Sequence, residues 1–480
     1  MEQVSIKKKL LSGIIWNAIE KVLVKGSAFA IGIVLARLLS PSDFGLIGML
    51  SVFIAISTIF IESGFAKALI QNQRCNEEDY STAFWTNVTI SIIIYIILYF
   101  SSPFIARFYD EPQLLSITRV LAINFIIGSF NIVQRAKLMA EVNFKALAKI
   151  NFVGTIVGGI IGVLLAWLGY GVWSLVGQTI SSTLSMMLVF PLFSKWKPSF
   201  KFSLSSFKWL YNFGSKLLIT GVLSIIINNI ATIAIGKYYK SKELGFYTRA
   251  SQFSELVSGL IYDVLGTVSF PVMSSIHEER DRLVALYRKI LFTTALTTFP
   301  IMILMALLAK PLIVVLLTEK WLPCVFMLQI LCLARMFTPL SALNMNIINA
   351  VGRSDLYMKL DMSKIPLSII VLVITIPMGT EAIVIGNLIS TFICFFINGY
   401  LPGKMFGYGP IKQLKDWKYI IVSLINMSLV VWLIQYFVSN SWLHLIIGGL
   451  LGLIIYIGSC MMFYKMNFKK LLVLKNEFRK

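Results

Sequence analysis

The chain has 480 residues, of which 57% are hydrophobic and only 14% are charged, and its mean hydropathy is +0.81. Soluble domains carry about 25% charged residues, so this composition excludes an ordinary water-soluble protein. The net charge of +21 would suit a nucleic-acid binder. The basic residues, however, collect in alternate loops between apolar segments, as positive-inside sorting in a membrane predicts. We therefore expect no nucleic-acid partner.

Apolar segments recur along the whole chain, each of about 20 residues and therefore long enough to cross ~30 Å of hydrocarbon as a helix. They lack the short alternation of barrel strands. No cleavable signal pattern precedes the first segment, so both termini are expected in the cytoplasm. We predict an all-α polytopic membrane protein of about fourteen transmembrane helices, with spans near residues 18–39, 44–65, 83–106, 114–134, 147–169, 171–193, 213–236, 246–270, 288–309, 322–348, 360–378, 380–400, 417–438 and 443–464.

The first predicted span carries a polar wedge. Asn17, Lys21 and Lys25 follow one another at i, i+4 and i+8, with Glu20 beside them, and this spacing places all four on one side of a helix. Lysines near a helix end can extend to the lipid headgroups. Two interpretations stay open for both lysines: headgroup contact, or the lining of an aqueous cavity.

A helix-break-helix unit occurs twice. The stretches LARLLSPSDFGLIGML (residues 35–50) and IGKYYKSKELGFYTRA (residues 235–250) share their spacing, so that Gly45 corresponds to Gly245. Six spans separate the two copies. Because that number is even, the copies have the same orientation in the membrane, as in a parallel transporter repeat.

The break in each copy resembles a helix start. Ser40 suits a cap, Pro41 suits a first turn, and Asp43 places a carboxylate at the positive end of the next helix. In the second copy we expect Ser241 and Glu243 to play the same part. Both breaks are predicted to have a structural role.

The repeat predicts the domain organisation. Two six-helix lobes in parallel pseudo-repeat are expected, followed by two appended helices. The predicted parts are an N-terminal lobe over residues 1–195 (spans 1–6), an amphipathic inter-lobe linker over 196–212, a C-terminal lobe over 213–402 (spans 7–12), and spans 13–14 with a basic cytoplasmic tail over 403–480.

Cations within spans are the candidates for an anion site, because an intramembrane charge is costly and usually functional. Arg119 and Arg335 lie in equivalent spans of the two lobes, and arginine offers planar, bidentate donors. Pairing with a carboxylate or with backbone carbonyls is the alternative. Lys216 and Arg249, together with the two lysines of the first span, complete the predicted cationic cavity.

Among the acidic residues within predicted spans, four are singled out: Glu20, Glu62, Glu255 and Asp263. Each is a candidate for coupling to H⁺ or Na⁺, or for pairing with a nearby cation. In the tenth span, Asn344, Asn346 and Asn349 are candidates for contacts with sugar hydroxyls. Hydrogen bonding between helices is the alternative for all three.

The sequence offers little for catalysis. It contains no GxxxxGK[ST] loop, its two histidines are isolated, and its five cysteines form no CxxC pair. The loops are too short for a soluble catalytic domain. We expect no metal site, no cofactor beyond a coupling ion, and a transporter rather than an enzyme.

Several stretches together resemble a known family. They are the two copies of the repeat, VQRAKLMAEVNFKALA (residues 133–148) and LNMNIINAVGRSDLYMKLD (residues 343–361). In order and spacing they resemble the oligosaccharide flippases of the multidrug/oligosaccharidyl-lipid/polysaccharide exporter superfamily, of the Wzx-like colanic-acid and teichuronic-acid exporter type. The resemblance implies two lobes around a central cavity. One position departs from it: relatives usually carry an aspartate five residues before the glycine of the IGK motif, where this chain has Ala231.

The resemblance implies a function. The protein is expected to translocate an undecaprenyl-diphosphate-linked oligosaccharide from the inner to the outer leaflet of the bacterial cytoplasmic membrane, by alternating access, for surface polysaccharide synthesis. Its expected partners are this lipid, membrane lipids, and the polysaccharide polymerase and glycosyltransferases of the same pathway. The alternative is a cation-coupled, multidrug-type antiporter of small molecules with the same fold.

Overall fold

The computed structural model describes residues 2–62, 65–71, 75–194 and 196–464. Over these residues the chain is helical and contains no β-strand, which confirms the all-α prediction. The chain divides into two compact units, Met1–Thr248 and Arg249–Lys480. That boundary lies within a long helix, and the predicted lobes and linker stay a prediction.

The first unit contains α1 to α9 and the first half of α10. A break interrupts α10 at Lys240, whose φ of 65° and ψ of 174° are not helical. The helices are α1 (Glu2–Leu38), α2 (Pro41–Glu62), α3 (Phe65–Gln71), α4 (Glu77–Tyr109), α5 (Gln113–Leu121), α6 (Ile123–Ala140), α7 (Phe144–Trp167), α8 (Trp173–Phe193), α9 (Leu204–Asn228) and α10 (Ile230–Ser275).

The second unit has a core that is rich in aromatic side chains. Phe299, Phe337, Phe395 and Trp417 pack with ring centroids 5.4 to 5.8 Å apart. Besides the second half of α10, its helices are α11 (Arg280–Leu307), α12 (Ala309–Leu317), α13 (Cys324–Arg335), α14 (Thr338–Ala350), α15 (Ser354–Thr375), α16 (Thr380–Phe406), α17 (Pro410–Asp416), α18 (Lys418–Phe437) and α19 (Ser441–Tyr464).

Among the described residues, eleven helical segments are long and apolar enough to cross a membrane. They coincide with eleven of the predicted spans, and the other three predicted spans lie on α1, on α9 with the start of α10, and on α10. Large apolar side chains point outward, such as Phe100 and Phe104, which are 70% and 71% exposed. Lipid accommodates such a surface and water does not. The protein is therefore a multi-pass membrane protein.

The segment before α9 falls within the predicted linker 196–212. The Trp85 indole donates a hydrogen bond to the Ser199 carbonyl at 2.9 Å, and the Ser203 hydroxyl caps α9 by accepting from the Ser206 amide at 3.3 Å. Phe200 is nonetheless 93% exposed. An ordered backbone with outward apolar side chains is typical of a segment that lies at a membrane surface.

Two membrane-spanning segments are each built from two helices. Each is interrupted by one or two residues that keep right-handed helical dihedral angles: Ala122 (φ −63°, ψ −22°) between α5 and α6, and Met336 (φ −63°, ψ −25°) with Phe337 (φ −86°, ψ −15°) between α13 and α14. The chain keeps its helical course through both positions, so the last turns of α5 and α13 are followed directly by the next helices. Arg119 and Arg335 occupy these two last turns.

Candidate functional site

The two repeated helix starts contact each other within the first unit. A methyl group on Gly45 would overlap the carbonyl oxygen of Ser241, and a methyl group on Gly245 would overlap that of Pro41. Pro41 and Ser241 are equivalent positions of the repeat, so the contact is reciprocal, as in a twofold interface. Such an approach of two backbones requires glycine. We call these four residues the glycine clasp.

The two helix starts differ in their local chemistry. In the first copy, the Ser40 hydroxyl accepts from the Asp43 amide at 3.3 Å, and the Ser40 amide and hydroxyl donate to the Asp43 carboxylate at 2.8 and 2.6 Å, as predicted for a cap. In the second copy, Lys240 lies at φ 65°, and the Ser241 hydroxyl donates to the Glu111 carboxylate at 2.7 Å. The Ser241 hydroxyl therefore bonds to a different helix connection, and its capping role stays a prediction.

Arg119 is held by an aromatic ring and a hydroxyl. Its guanidinium carbon lies 4.2 Å from the centroid of the Tyr99 ring, and its Nε donates to the Ser102 hydroxyl at 3.0 Å. The side chain is half-buried. Five N–H donors sit on a guanidinium, so these contacts fix its orientation while using one donor.

Arg335 is held by a carboxylate. It forms an ion pair with Glu255, and its Nη2 donates to the Ser251 hydroxyl at 2.8 Å. The Arg335 side chain is 25% exposed and that of Glu255 is 55% exposed. Of the two interpretations of Glu255, the structure places it as a charge partner of Arg335, whereas Arg119 bonds to no acidic side chain among the described residues.

Arg249 does not face an open cavity. The residue is 7% exposed, its Nη1 donates to the Gln252 amide oxygen at 2.8 Å, and its guanidinium lies 6.0 Å from the centroid of the Trp321 ring. The expected cavity position of Arg249 is corrected to a buried one. A guanidinium enclosed in this way supports packing rather than ligand capture.

The charges of the first predicted span lie on α1, which packs against α7. The Asn151 amide donates to the Glu20 carboxylate at 2.5 Å. Lys21 is half-buried and Lys25 is exposed, and both have electrostatic or hydrogen-bond partners. Their place in a cationic cavity stays a prediction.

The remaining charged candidates are less informative. Asp263 is half-buried and has a partner. The side chains of Glu62 and Lys216 lie outside the part of the structure that is described. Within the described part, no group of three or more His, Cys, Asp or Glu side chains is placed to hold a metal ion.

Asn344 belongs to a buried polar cluster. It is 0% exposed, its amide oxygen accepts from the Tyr287 hydroxyl at 2.5 Å and from the Gln413 amide at 3.1 Å. The expected sugar contact of Asn344 is therefore wrong, since its amide joins α11, α14 and α17. The sequence did not single out Tyr287 or Gln413 as candidates, because neither residue lies within a predicted span.

The same short helix, α17, is anchored at its end by Asp416. The carboxylate accepts from Arg288 at 2.6 and 2.7 Å and from the Tyr408 hydroxyl at 2.7 Å. Partial burial opposes ionisation, but these hydrogen bonds outweigh it and lower the pKa of Asp416. Asp416 and Gln413 lie on the same short helix, so this network is next to the buried polar cluster of Asn344.

Asn346 and Asn349 lie on a cavity wall. The cavity has a volume of about 280 Å³ and is lined by α10 and α14, through Tyr262, Leu265, Phe270, Ala342, Leu343, Asn346 and Asn349. A larger groove of about 770 Å³ runs between α10 and α11 and is lined mainly by apolar residues, with Arg282 and Lys289 among them. Leu265 lines both spaces.

Residues 34–326 match the sequence profile of a family described as polysaccharide biosynthesis protein. The chain belongs to this family. It is 25% identical to the teichuronic acid biosynthesis protein TuaB of Bacillus subtilis (strain 168) over 354 residues, which is 73% of each chain. It is 23% identical to the lipopolysaccharide biosynthesis protein WzxC of Escherichia coli (strain K12) over 402 residues, covering 82% of this chain and 81% of the relative. The predicted resemblance is confirmed.

Solved structures share the fold. The lipid II flippase MurJ, in an inward closed conformation, superposes with a TM-score of 0.77 at 18% identity, covering 95% of this chain and 99% of that chain. An inward-facing multidrug resistance MATE family transporter of the MOP superfamily superposes with a TM-score of 0.63 at 16% identity, covering 82% and 97%. The chain shares its fold with these two proteins, as the predicted resemblance implied.

Proposed function

We propose that this protein is a flippase that moves an undecaprenyl-diphosphate-linked oligosaccharide from the inner to the outer leaflet of the bacterial cytoplasmic membrane. Two observations together support the proposal. The chain matches a polysaccharide biosynthesis family, and it shares the fold of a lipid II flippase over 95% of its length. The protein would act as a transporter in surface polysaccharide synthesis. Its termini would lie in the cytoplasm, where glycosyltransferases supply the lipid, and a polymerase would use the product.

The diphosphate is the part of the cargo that needs protein contacts, because a bare charge at the bilayer centre is costly. Arg119 is suited to hold it. Tyr99 and Ser102 orient the guanidinium, and its remaining donors match phosphate oxygens in pairs. Arg119 lies on α5 within the membrane-spanning segment Gln113–Ala140, so the cation would be inside the membrane rather than in a loop.

Arg335 suits a different step. Its charge is balanced by Glu255, so a diphosphate that binds Arg335 would have to displace that carboxylate. The released Glu255 would then take up H⁺ or Na⁺, which links arrival of the cargo to an ion. This exchange would replace the aspartate that relatives carry at the position of Ala231.

The glycine clasp suits alternating access. Two helix starts that meet through backbone contact would close one side of a passage. In the proposed cycle the clasp is closed while cargo enters from the cytoplasmic side and opens to release it.

The test is the double variant Arg119→Ala with Arg335→Ala, reconstituted in vesicles that contain a lipid-linked oligosaccharide. We expect the variant to fold and to lose translocation, because both cationic positions are removed. The matched control is Arg353→Ala, an exposed arginine paired with Asp355, which should translocate normally. Normal translocation by the double variant would refute the phosphate-holding role.

The second candidate function is an antiporter of small molecules, since a multidrug transporter shares the fold with a TM-score of 0.63. Vesicles under a proton or sodium gradient distinguish the two. Ion-driven efflux of a cationic dye, without movement of the lipid-linked oligosaccharide, would favour the antiporter.

A further inference from the structure

We propose that the cavity between α10 and α14 is a subsite for one sugar ring of the cargo, an inference that rests on the proposed flippase function. The observation behind it is the combination of exposed aromatic rings and amide side chains around a small, uncharged space. We call this space the amide pocket, defined by Tyr262, Phe270, Asn346 and Asn349.

The walls of the amide pocket follow from helix geometry. Asn346 and Asn349 are spaced i, i+3 on α14 and therefore share a face. The Asn346 Nδ2 donates to the Ser269 hydroxyl at 3.3 Å, and Ser269 is 1% exposed. This bond fixes the amide plane and leaves its oxygen and its second N–H for a ligand.

The chemistry of the lining selects a neutral, polar ligand. All seven lining residues are uncharged, so a phosphate or a metal ion would be left without a counter-charge. A sugar ring presents neighbouring hydroxyl groups to amides and C–H bonds to aromatic faces. Tyr262 and Phe270 are 46% and 41% exposed and offer such faces. At about 280 Å³ the cavity is close to the lower end of ligand-site volumes.

The surroundings suit an amphiphilic cargo. Leu265 lines the amide pocket and also the apolar groove of about 770 Å³ between α10 and α11. A sugar in one space therefore lies beside a surface that accepts hydrocarbon. A free sugar in water would gain nothing from that groove, whereas a lipid-linked sugar would gain apolar burial.

The experiment measures lipid binding to the whole protein in nanodiscs. The probes are undecaprenyl diphosphate and the same lipid carrying one glucose, galactose or N-acetylglucosamine. The wild type should bind at least one sugar-bearing lipid about tenfold more tightly than the bare lipid, as a few net hydrogen bonds provide. Asn346→Ala with Asn349→Ala should remove this preference and leave the affinity for the bare lipid unchanged.

Three further variants keep the test independent of folding. Asn387→Ala, on the exposed side of α16, is the matched control and should retain the preference. Tyr262→Phe should retain most of it and Tyr262→Ala should not, because the ring and not the hydroxyl carries the contact.

The outcomes separate this inference from the proposed function. Equal affinity of the wild type for all four lipids, or a preference that survives the double asparagine variant, overturns the amide pocket but leaves a flippase that recognises diphosphate. Failure to bind any of the four lipids would contradict the proposed function itself.

Discussion

The two copies of the repeat differ at the helix start, where Ser40 corresponds to Lys240, and agree at the glycine, where Gly45 corresponds to Gly245. The first copy caps its helix through Ser40 and Asp43, whereas the second places Lys240 at positive φ and bonds Ser241 to Glu111. Both copies nevertheless bring a glycine against the backbone of the other. The duplicated feature is therefore a contact surface, and the chemistry of the helix start has diverged around it.

The two arginines extend this comparison to the interrupted spans. Arg119 is oriented by Tyr99 and Ser102, while Arg335 is neutralised by Glu255. One position is thus prepared for an anion, and the other must exchange a partner before it binds one. The repeat places the two arginines in equivalent spans, and we expect their different neighbours to give them different roles.

The largest expected effect concerns the glycine clasp. Gly45→Ala and Gly245→Ala each put a methyl group into a backbone carbonyl, so the closed contact cannot form. We expect translocation to fall at least tenfold in both variants, by similar amounts because the contact is reciprocal.

The control for the clasp is Gly458→Ala, since no atom lies within 4 Å of the methyl group it adds. It should translocate at the wild-type rate. A clasp variant with normal translocation, or an effect confined to one glycine, would contradict the reciprocal role.

The next prediction separates the two arginines. Arg119→Ala should reduce translocation about 10- to 100-fold, as the loss of charged hydrogen bonds predicts. Arg335→Ala should also reduce it, partly because Glu255 is left uncompensated. Adding Glu255→Gln to Arg335→Ala should restore thermal stability but not translocation, and recovery of both would mean that the ion pair is structural.

The smallest expected effect concerns Lys240. Its φ of 65° and ψ of 174° are a glycine-like conformation, so Lys240→Gly should stabilise the protein by about 1 kcal/mol after the greater flexibility of the unfolded glycine is subtracted. Lys242→Gly, in the following helical turn, should instead destabilise it by about 1 kcal/mol. Thermal unfolding of the purified protein measures both, and equal shifts in one direction would refute backbone strain.

Much of the architecture was predictable because apolar length is a local property. Segments of sufficient length and hydropathy identify helices in a membrane whatever their neighbours, and the motifs around Gly45 and Gly245 indicated the repeat. The interruptions within the fourth and tenth spans were not predictable in this way, since neither Ala122 nor Met336 is a residue that interrupts a helix by itself.

The candidate site was harder to predict because it depends on which face of a helix meets which neighbour. Asn344 and Asn346 are two residues apart, yet the first is buried against Tyr287 and the second lines a cavity. The sequence predicts that Arg249 is a cavity cation, but the residue is buried and its guanidinium lies near the Trp321 ring. Periodicity within one helix does not contain this information.

The most direct test of the central claim uses the purified wild-type protein in vesicles with an undecaprenyl-diphosphate-linked oligosaccharide placed in one leaflet. The readout is the fraction of the glycan that becomes accessible to a glycan-modifying enzyme on the other side. We predict that this fraction rises only when the protein is present, and that it does not rise with the Arg119→Ala, Arg335→Ala variant. A rise of the same size in vesicles that contain that variant, or no rise with the wild type, would contradict the account.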